Sequence, residues 1–257
     1  MLRNTVLFYA SLVITLAAPS SHAIVNMEDL HLVTPDAGFS GQFKLAANGA
    51  SGNSPRSNVS AGLRVQWHQP RYTDFLVVDG ARSSSNDDLT GNKAFLHLRH
   101  IHHISEGWSI EGFAQTQYNE FTRLSYRGLV GSGVRIGPAY SDQSLAAYLG
   151  AGMFYEREII DDKNAADAGS NNFWRGNIYG VIKVSINEST RLAVSSYYQP
   201  VVDDTKDYRL LANTVLRIRL TDNIYLDLEY ALSYDSQPPE DVERTDSTFR
   251  TAVNLGF

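Results

Sequence analysis

Between residues 95 and 108 the sequence reads FLHLRHIHHISEGW, and positions 97–103 hold four of the chain's seven histidines. Imidazoles at this density raise two chemistries. A divalent metal needs several donors converging on one point. Base-assisted nucleophilic catalysis needs a histidine within reach of a serine, and His103-Ile104-Ser105 sets the two at alternate positions. A second set is cationic. Lys44, Arg64, Arg123, Arg127, Arg135, Arg175, Lys183, Arg209, Arg217, Arg219 and Arg250 recur at the polar positions of alternating segments. Glu111, Glu156, Asp227 and Glu229 share those positions. Guanidinium forks suit carboxylates and phosphates, so these side chains could hold small anions or pair with their own carboxylates.

Which chemistry is open to them depends on the elements that carry them. NIYLDLEYALSY places Ile224, Leu226, Leu228, Tyr230, Leu232 and Tyr234 on one face and Tyr225, Asp227, Glu229, Ala231 and Ser233 on the other. STFRTAVNLGF and YRLLANTVLRIRL alternate in the same way. A period of two is a strand signal, because successive side chains point to opposite sides of a sheet. The pattern predicts twelve strands, near 37–48, 56–68, 71–80, 93–103, 108–120, 123–136, 143–157, 172–186, 189–201, 207–220, 223–234 and 247–257. No internal repeat or linker divides them, so residues 24–257 read as a single domain.

The first 23 residues read differently. Arg3 precedes an uncharged apolar run, Val6 to Ala18, and a Ser-His-Ala ending that suits cleavage after Ala23. That run is signal-peptide length and short of the roughly 20 residues a membrane helix needs. Residues 1–23 are therefore expected to be a signal peptide. The remainder carries 21 basic against 28 acidic residues, a formal charge of −7, which excludes a concentrated basic face for nucleic acid. With no cysteine, neither disulfides nor thiolate metal sites can support the fold.

An exported, cysteine-free chain of alternating strands fits a transmembrane antiparallel β-barrel. GASGNSP, ARSSSNDDLTGN, IIDDKNAADAGSN and DSQPPEDVERTD are long, polar and mostly acidic, whereas QP, ISEG, NES and TDN are short. Long and short links largely alternate, with EFT a short one where a long one is due. Longer acidic loops outside and short turns on the periplasmic side are the arrangement of such barrels. Trp67, Tyr72, Trp108, Tyr118, Trp174, Tyr198, Tyr208 and Tyr234 sit at strand ends, where aromatic girdles lie. Phe257 ends an apolar-faced last strand and reads as an assembly signal for barrel-assembly machinery.

On a strand at 93–103, His97 and His103 share a face with Phe95, Arg99 and Ile101, while His100 and His102 share the other. The four imidazoles cannot converge on one ion, and no metal or other cofactor is expected. The stretch reads as barrel wall running into its rim.

The segment HLRHIHHISEGWSIEGFAQTQYNEFTRLSYRGLVGSGVRI resembles the YdiY-type family of salt-induced outer-membrane proteins, a domain-of-unknown-function family. The matching elements are His97-Leu98-Arg99, Glu111 to Gln115, Gln117 to Phe121, and Arg127-Gly128-Leu129 leading into Gly131-Ser132-Gly133. The resemblance implies an outer-membrane location and carries over no catalytic residue. His103-Ile104-Ser105 also matches the H-x-S spacing of lipid A deacylases of the PagL type, but it enters a short periplasmic turn. The arginine-rich faces look somewhat like the twelve-stranded, arginine-lined channels for acidic oligosaccharides.

The expected function is non-enzymatic: a structural or narrow-pore envelope protein, tied to osmotic or salt stress by the family resemblance alone. A small anion-selective porin is the alternative, and a barrel lipid hydrolase the third. The residues that separate the first two are the candidate lumen charges Arg127, Arg135, Arg209, Arg217, Arg219, Asp227, Glu229 and Arg250. Taking TDN as a tight turn predicts Arg217 opposite Asp227 and Arg219 opposite Tyr225. Expected partners are outer-membrane lipid, the assembly machinery and small anions, with no nucleic acid.

Overall fold

The structure is a computed structural model that describes residues 37–50, 55–86, 88–137, 144–160 and 168–257. The expected signal peptide at 1–23 lies outside the described residues. Alternation along the chain becomes twelve strands: β1 Gly38–Ala50, β2 Arg56–Gln69, β3 Tyr72–Ser85, β4 Asp88–Ser105, β5 Trp108–Asn119 and β6 Leu124–Ile136. After them come β7 Leu145–Ile160, β8 Gly169–Ser185, β9 Thr190–Pro200, β10 Tyr208–Arg219, β11 Ile224–Asp235 and β12 Thr245–Gly256. Each pairs antiparallel with its sequence neighbours, and β1 pairs with β12 to close a barrel. Closure is what a membrane demands of a sheet, since an open edge would leave backbone groups unpaired in hydrocarbon.

The two faces of this wall differ in chemistry. Phe43, Leu45, Leu98, Ile110, Val130, Leu149, Met153, Ile178, Ile182, Val253 and Leu255 all project outward and are exposed. The inward positions between them hold Lys44, Arg99, Glu111, Glu156, Arg175 and Asn254, all buried. A soluble β-protein would reverse this order. An apolar outer wall around a polar interior is the arrangement of a barrel that sits in lipid. Aromatic neighbours cluster where strands meet the ends of the barrel, as in Trp67 with Tyr72 and Tyr155 with Trp174.

Call the end at which β1 begins and β12 finishes the near end. The far-end links at 161–168 and 236–244 are longer and acidic, as expected, and the link at 201–207, not among those expected to be long, is acidic as well. Two links depart from the expectation. The polar stretch 81–92 is not a long loop, because β3 continues through it to Ser85 and β4 begins at Asp88, with a turn at Asn86. Asn86 takes a left-handed φ of 52° there, and a bulge falls at Ser83/Ser84. Its polarity reflects a hairpin wet on both faces, not the loss of strand. At the near end the 137–144 link is longer than the other turns. Glu120–Thr122 forms a 3-10 turn, the short far-end link anticipated in EFT.

Inside, two apolar groups share the lumen with the charges. Phe75, Val77, Phe95 and Ile101 form one, and Ala146, Tyr148, Tyr179 and Val181 the other. The rings need space, and glycine supplies it. A Cβ at Gly131 would overlap the Phe113 ring and Phe154, and one at Gly150 would overlap the ring of Tyr179. Gly131 and Gly150 are thus recesses in the inner wall for aromatic side chains, while Gly133 lets β6 approach the backbone of β7 at Ala151 and Gly152.

Candidate functional site: the charged lumen

Five strands, β6, β7, β8, β10 and β11, build the largest charged group, with Asp207 from the β9–β10 link. Glu156 and Glu158 occupy alternate inward positions of β7, so both carboxylates point into the lumen. Arg127 on β6 donates to Glu158 Oε1 at 2.6 Å. Arg175 on β8 donates from Nε to Glu156 at 3.2 Å and from Nη1 to Asp207 at 3.0 Å. Arg209 on β10 binds three carboxylates: Glu156 at 2.9 and 3.0 Å, Glu158 at 3.1 Å and Asp235 at 2.8 Å. β8 and β9 separate β10 from β7, so this guanidinium reaches inside the sheet past two strands. Three arginines meet four carboxylates, and the charge of this group is spent internally.

A second group crosses the lumen. Arg99 on β4 donates to Glu111 on β5 at 2.5 Å, and also to the Tyr179 hydroxyl on β8 at 2.8 Å. The Tyr179 hydroxyl in turn donates to Glu111 at 2.8 Å. β5, β6 and β7 lie between β4 and β8, so the three side chains form a tie across the barrel. A third group stands at the closing strands, where Lys44 on β1 pairs with Glu229 on β11, and Arg250 on β12 donates to the same carboxylate at 2.9 Å.

The β10–β11 hairpin sets Arg217 opposite Asp227 and Arg219 opposite Tyr225. Arg217 grips Asp227 with both arms of its fork, at 2.8 and 2.6 Å. Of the lumen charges named from the sequence, Arg127, Arg135, Arg209, Asp227 and Glu229 are buried inside the barrel. Arg217 and Arg250 are half-buried there. Arg135 stacks over the Tyr148 ring, 4.1 Å from its centroid. Two cations leave the expected wall. Arg219 is exposed at the near-end rim, and Arg123 sits in the far-end link with a φ of 57°, donating to the Glu240 carbonyl.

Sequence reasoning missed the carboxylates that balance the arginines. Glu158 and Asp235 fell just past the expected ends of their strands at 157 and 234. Extending the alternation of Glu156 by one step would have found Glu158. Arg99 was placed on the right strand with its face undecided, because both faces of β4 mix apolar and polar residues.

The histidines divide as the strand geometry requires. His97 and His103 point inward, and His100 and His102 outward. His97 bonds Gln115 at 3.0 Å between Phe95 and Phe113, which stack on either side of it. His103 uses Nε2 on Thr73 at 3.1 Å and Nδ1 on Ser109 at 3.0 Å, while Ser105 pairs with Trp108 in the turn. His100 meets Asp74 at 2.7 Å on the outer wall. Among the described residues no group of three or more His, Asp or Glu is placed to hold a metal ion.

Closed antiparallel wall, apolar exterior and charge-paired interior together define a membrane β-barrel. The chain belongs to the family described as "Protein of unknown function, DUF481", whose model matches residues 43–257, in agreement with the resemblance carried by residues 97–133. No curated protein matches the chain. Among solved structures it is similar to the translocator domain of the autotransporter NalP from Neisseria meningitidis, with 11% identity and a TM-score of 0.52 over 90% of this chain and 91% of that one. It is also similar to the NanC porin, with 11% identity and a TM-score of 0.49 over 84% and 97% of the respective chains. At these identities the likeness is one of fold.

Proposed function

We propose that this protein is a bacterial outer-membrane barrel whose interior is sealed by its own side chains, and that it serves the envelope as a non-enzymatic scaffold rather than as a solute channel. The single observation that carries this reading is the tie from Arg99 and Glu111 to Tyr179, which spans the lumen between β4 and β8. A channel for anions needs cations that face water. Here Arg127, Arg175 and Arg209 are buried against Glu156, Glu158, Asp207 and Asp235. The non-enzymatic part rests on His103, whose two nitrogens engage Thr73 and Ser109 rather than Ser105. Export by residues 1–23 and a role in salt or osmotic stress belong to the same proposal, the latter on family resemblance.

The test is conductance of the purified barrel in planar bilayers. The wild type is expected to give no steady ohmic current, and Tyr179→Ala with Arg99→Ala is expected to introduce one. A steady, anion-selective current through the wild type would replace the scaffold with the second reading, a narrow anion pore. That reading is favoured by Arg250, whose side chain is 34% exposed although it pairs with Glu229.

A further inference from the structure

The wall is not equally closed all round. β1 pairs with β2 along its whole length, from Gly38–His68 to Ala50–Arg56, and β12 pairs with β11 from Thr245 to Leu255. Between β1 and β12 the ladder runs only from Gln42–Gly256 to Leu45–Val253, extended by the reciprocal backbone bonds of Gly41 and Phe257. Beyond Leu45 the described β1–β12 ladder stops, and residues 46–50 of β1 and 247–252 of β12 show no strand pairing across it. Phe249 is still 58% exposed on the outer wall at that height, so the divergence begins within the apolar belt. Unpaired backbone groups in hydrocarbon cost several kcal/mol each, so polar matter has to meet them. Small residues, Ala46, Ala47 and Gly49, leave room on the β1 side.

Just inside the point where pairing stops lies the third charged group. Lys44 and Arg250 share Glu229, and Arg64 on β2 holds Asp79 only at 3.8 Å. Arg64 is 7% exposed, and its Nε has no hydrogen-bond partner. Beside it the amides of Gln42 and Asn254, 1% and 0% exposed, are unpartnered at both oxygen and nitrogen. Register brings these together, Gln42 beside Arg64 and Asn254 beside Lys44. Buried polar groups are nearly always satisfied, and here the unused donors stand among Lys44, Arg64 and Arg250, with Glu229 and Asp79 beside them and Lys93 and Asp246 also facing the group. Such a set suits a phosphate, which accepts from guanidinium and amide alike.

We propose that the far half of the β1–β12 seam is a side opening, through which the phosphate headgroup of a membrane amphiphile reaches Lys44, Arg64 and Arg250 while its acyl chains stay in the bilayer. The opening lies in the belt, so a lipid-borne phosphate reaches it by lateral diffusion, which a dissolved one cannot do.

The native chain has no cysteine, so engineered pairs in the full-length protein report the seam directly. Gly41 and Phe257 form a hydrogen-bonded pair, so Phe43 with Leu255, two steps along the ladder, is another, with Cα atoms about 5.5 Å apart and within disulfide reach. Leu45 with Val253 is the last pair of that kind in the ladder, and Ala47 with Thr251 would be the next if the ladder continued. In vesicles, Phe43→Cys/Leu255→Cys is expected to oxidise to a disulfide. Ala47→Cys/Thr251→Cys is expected to stay reduced and react with a membrane-permeant maleimide. Equal disulfide yields would mean a continuous seam and overturn the proposal.

The ligand is tested with the same barrel in mixed phosphatidylglycerol and phosphatidylcholine vesicles, followed by native mass spectrometry after extraction. Retained phosphatidylglycerol is expected, reduced about tenfold by Arg250→Gln and by Arg64→Gln, equivalent to about 1.4 kcal/mol each. Arg217→Gln, at a charge pair away from the seam, is expected to leave retention unchanged, and heat-modifiable migration on gels checks that each variant is folded. Equal retention of both lipids, or no loss in folded Arg250→Gln and Arg64→Gln, overturns the site. Displacement of the lipid by millimolar inorganic phosphate would reassign it to a dissolved anion and overturn the lipid-borne source.

Discussion

Asp227 is 1% exposed, and the fork of Arg217 is its charged partner in the wall. Arg217→Ala therefore strands a carboxylate inside the barrel, and Asp227→Ala strands a guanidinium that is only 13% exposed. Both single variants are expected to lose stability in detergent, and the double variant to be no worse than either. A coupling energy of about 1.5–3 kcal/mol is expected, the range for hydrogen bonds to charged groups, where a surface pair would give less than about 1 kcal/mol. Chemical unfolding of the four proteins measures it, and additive losses would mean that water already screens the pair. The outward histidines follow the opposite logic. His100→Gln with His102→Gln is expected to change neither zinc content nor thermal stability appreciably, because both rings stand on the outer wall. Loss of one stoichiometric zinc in that double variant would revive the metal reading.

At the level of strands, Gly150 and Phe257 do the most with the least. Gly150 on β7 leaves the space that the Tyr179 ring fills, and Tyr179 is the far anchor of the cross-lumen tie. Gly150→Val is expected to push that ring away, costing about 1–3 kcal/mol by overpacking and, under the proposed scaffold role, allowing a measurable current where the wild type is expected to give none. An unchanged melting temperature and continued silence would show that the tie tolerates a shifted tyrosine. Phe257 packs near Phe39, ring centroids 6.3 Å apart, and exchanges two backbone hydrogen bonds with Gly41 at 2.9 and 3.0 Å. Deleting it is expected to leave more unassembled precursor, and also to lower the heat resistance of the barrels that do form. The second effect was invisible in the sequence, which offered only a terminal aromatic on an apolar face.

How far the strands could be read follows from what writes them. Wherever lipid meets one face and the lumen the other, as along β7, β10 and β11, period-two alternation located the strand within a few residues and set the Arg217–Asp227 register. Beyond the membrane belt both faces are wet and the alternation fades. That is why the β3–β4 hairpin read as a loop and why Glu158 and Asp235 dropped out of the lumen. Long-range partners were out of reach for another reason. Nothing local in β4 and β8 says that Arg99 will meet Tyr179, because a barrel's curvature, and not its sequence spacing, brings them together.

For the whole molecule, the apolar outer wall requires lipid. The protein is expected to fractionate with outer membrane and to migrate as a compact form until boiled in detergent. Recovery in a soluble periplasmic fraction would contradict the exposure of residues such as Leu149 and Ile178, 66% and 56% exposed. Silence in planar bilayers belongs to the same scale, since the proposed scaffold needs the interior groups to close the lumen jointly.

One feature of that interior bears on how the chain can be made. Lys44 and Glu229 stand 185 residues apart in the sequence, and Arg209 reaches back 53 residues to Glu156. A half-built sheet lying in a bilayer would press Glu156, Glu158 and Arg175 against acyl chains with part of their counter-charges not yet delivered. Strand-by-strand insertion is therefore uphill until the chain is nearly complete, and ring formation has to accompany membrane passage. Contacts so distant along the chain also make for slow folding. A sheltered, wet surface on which all twelve strands gathered before any of them committed to lipid would remove that cost.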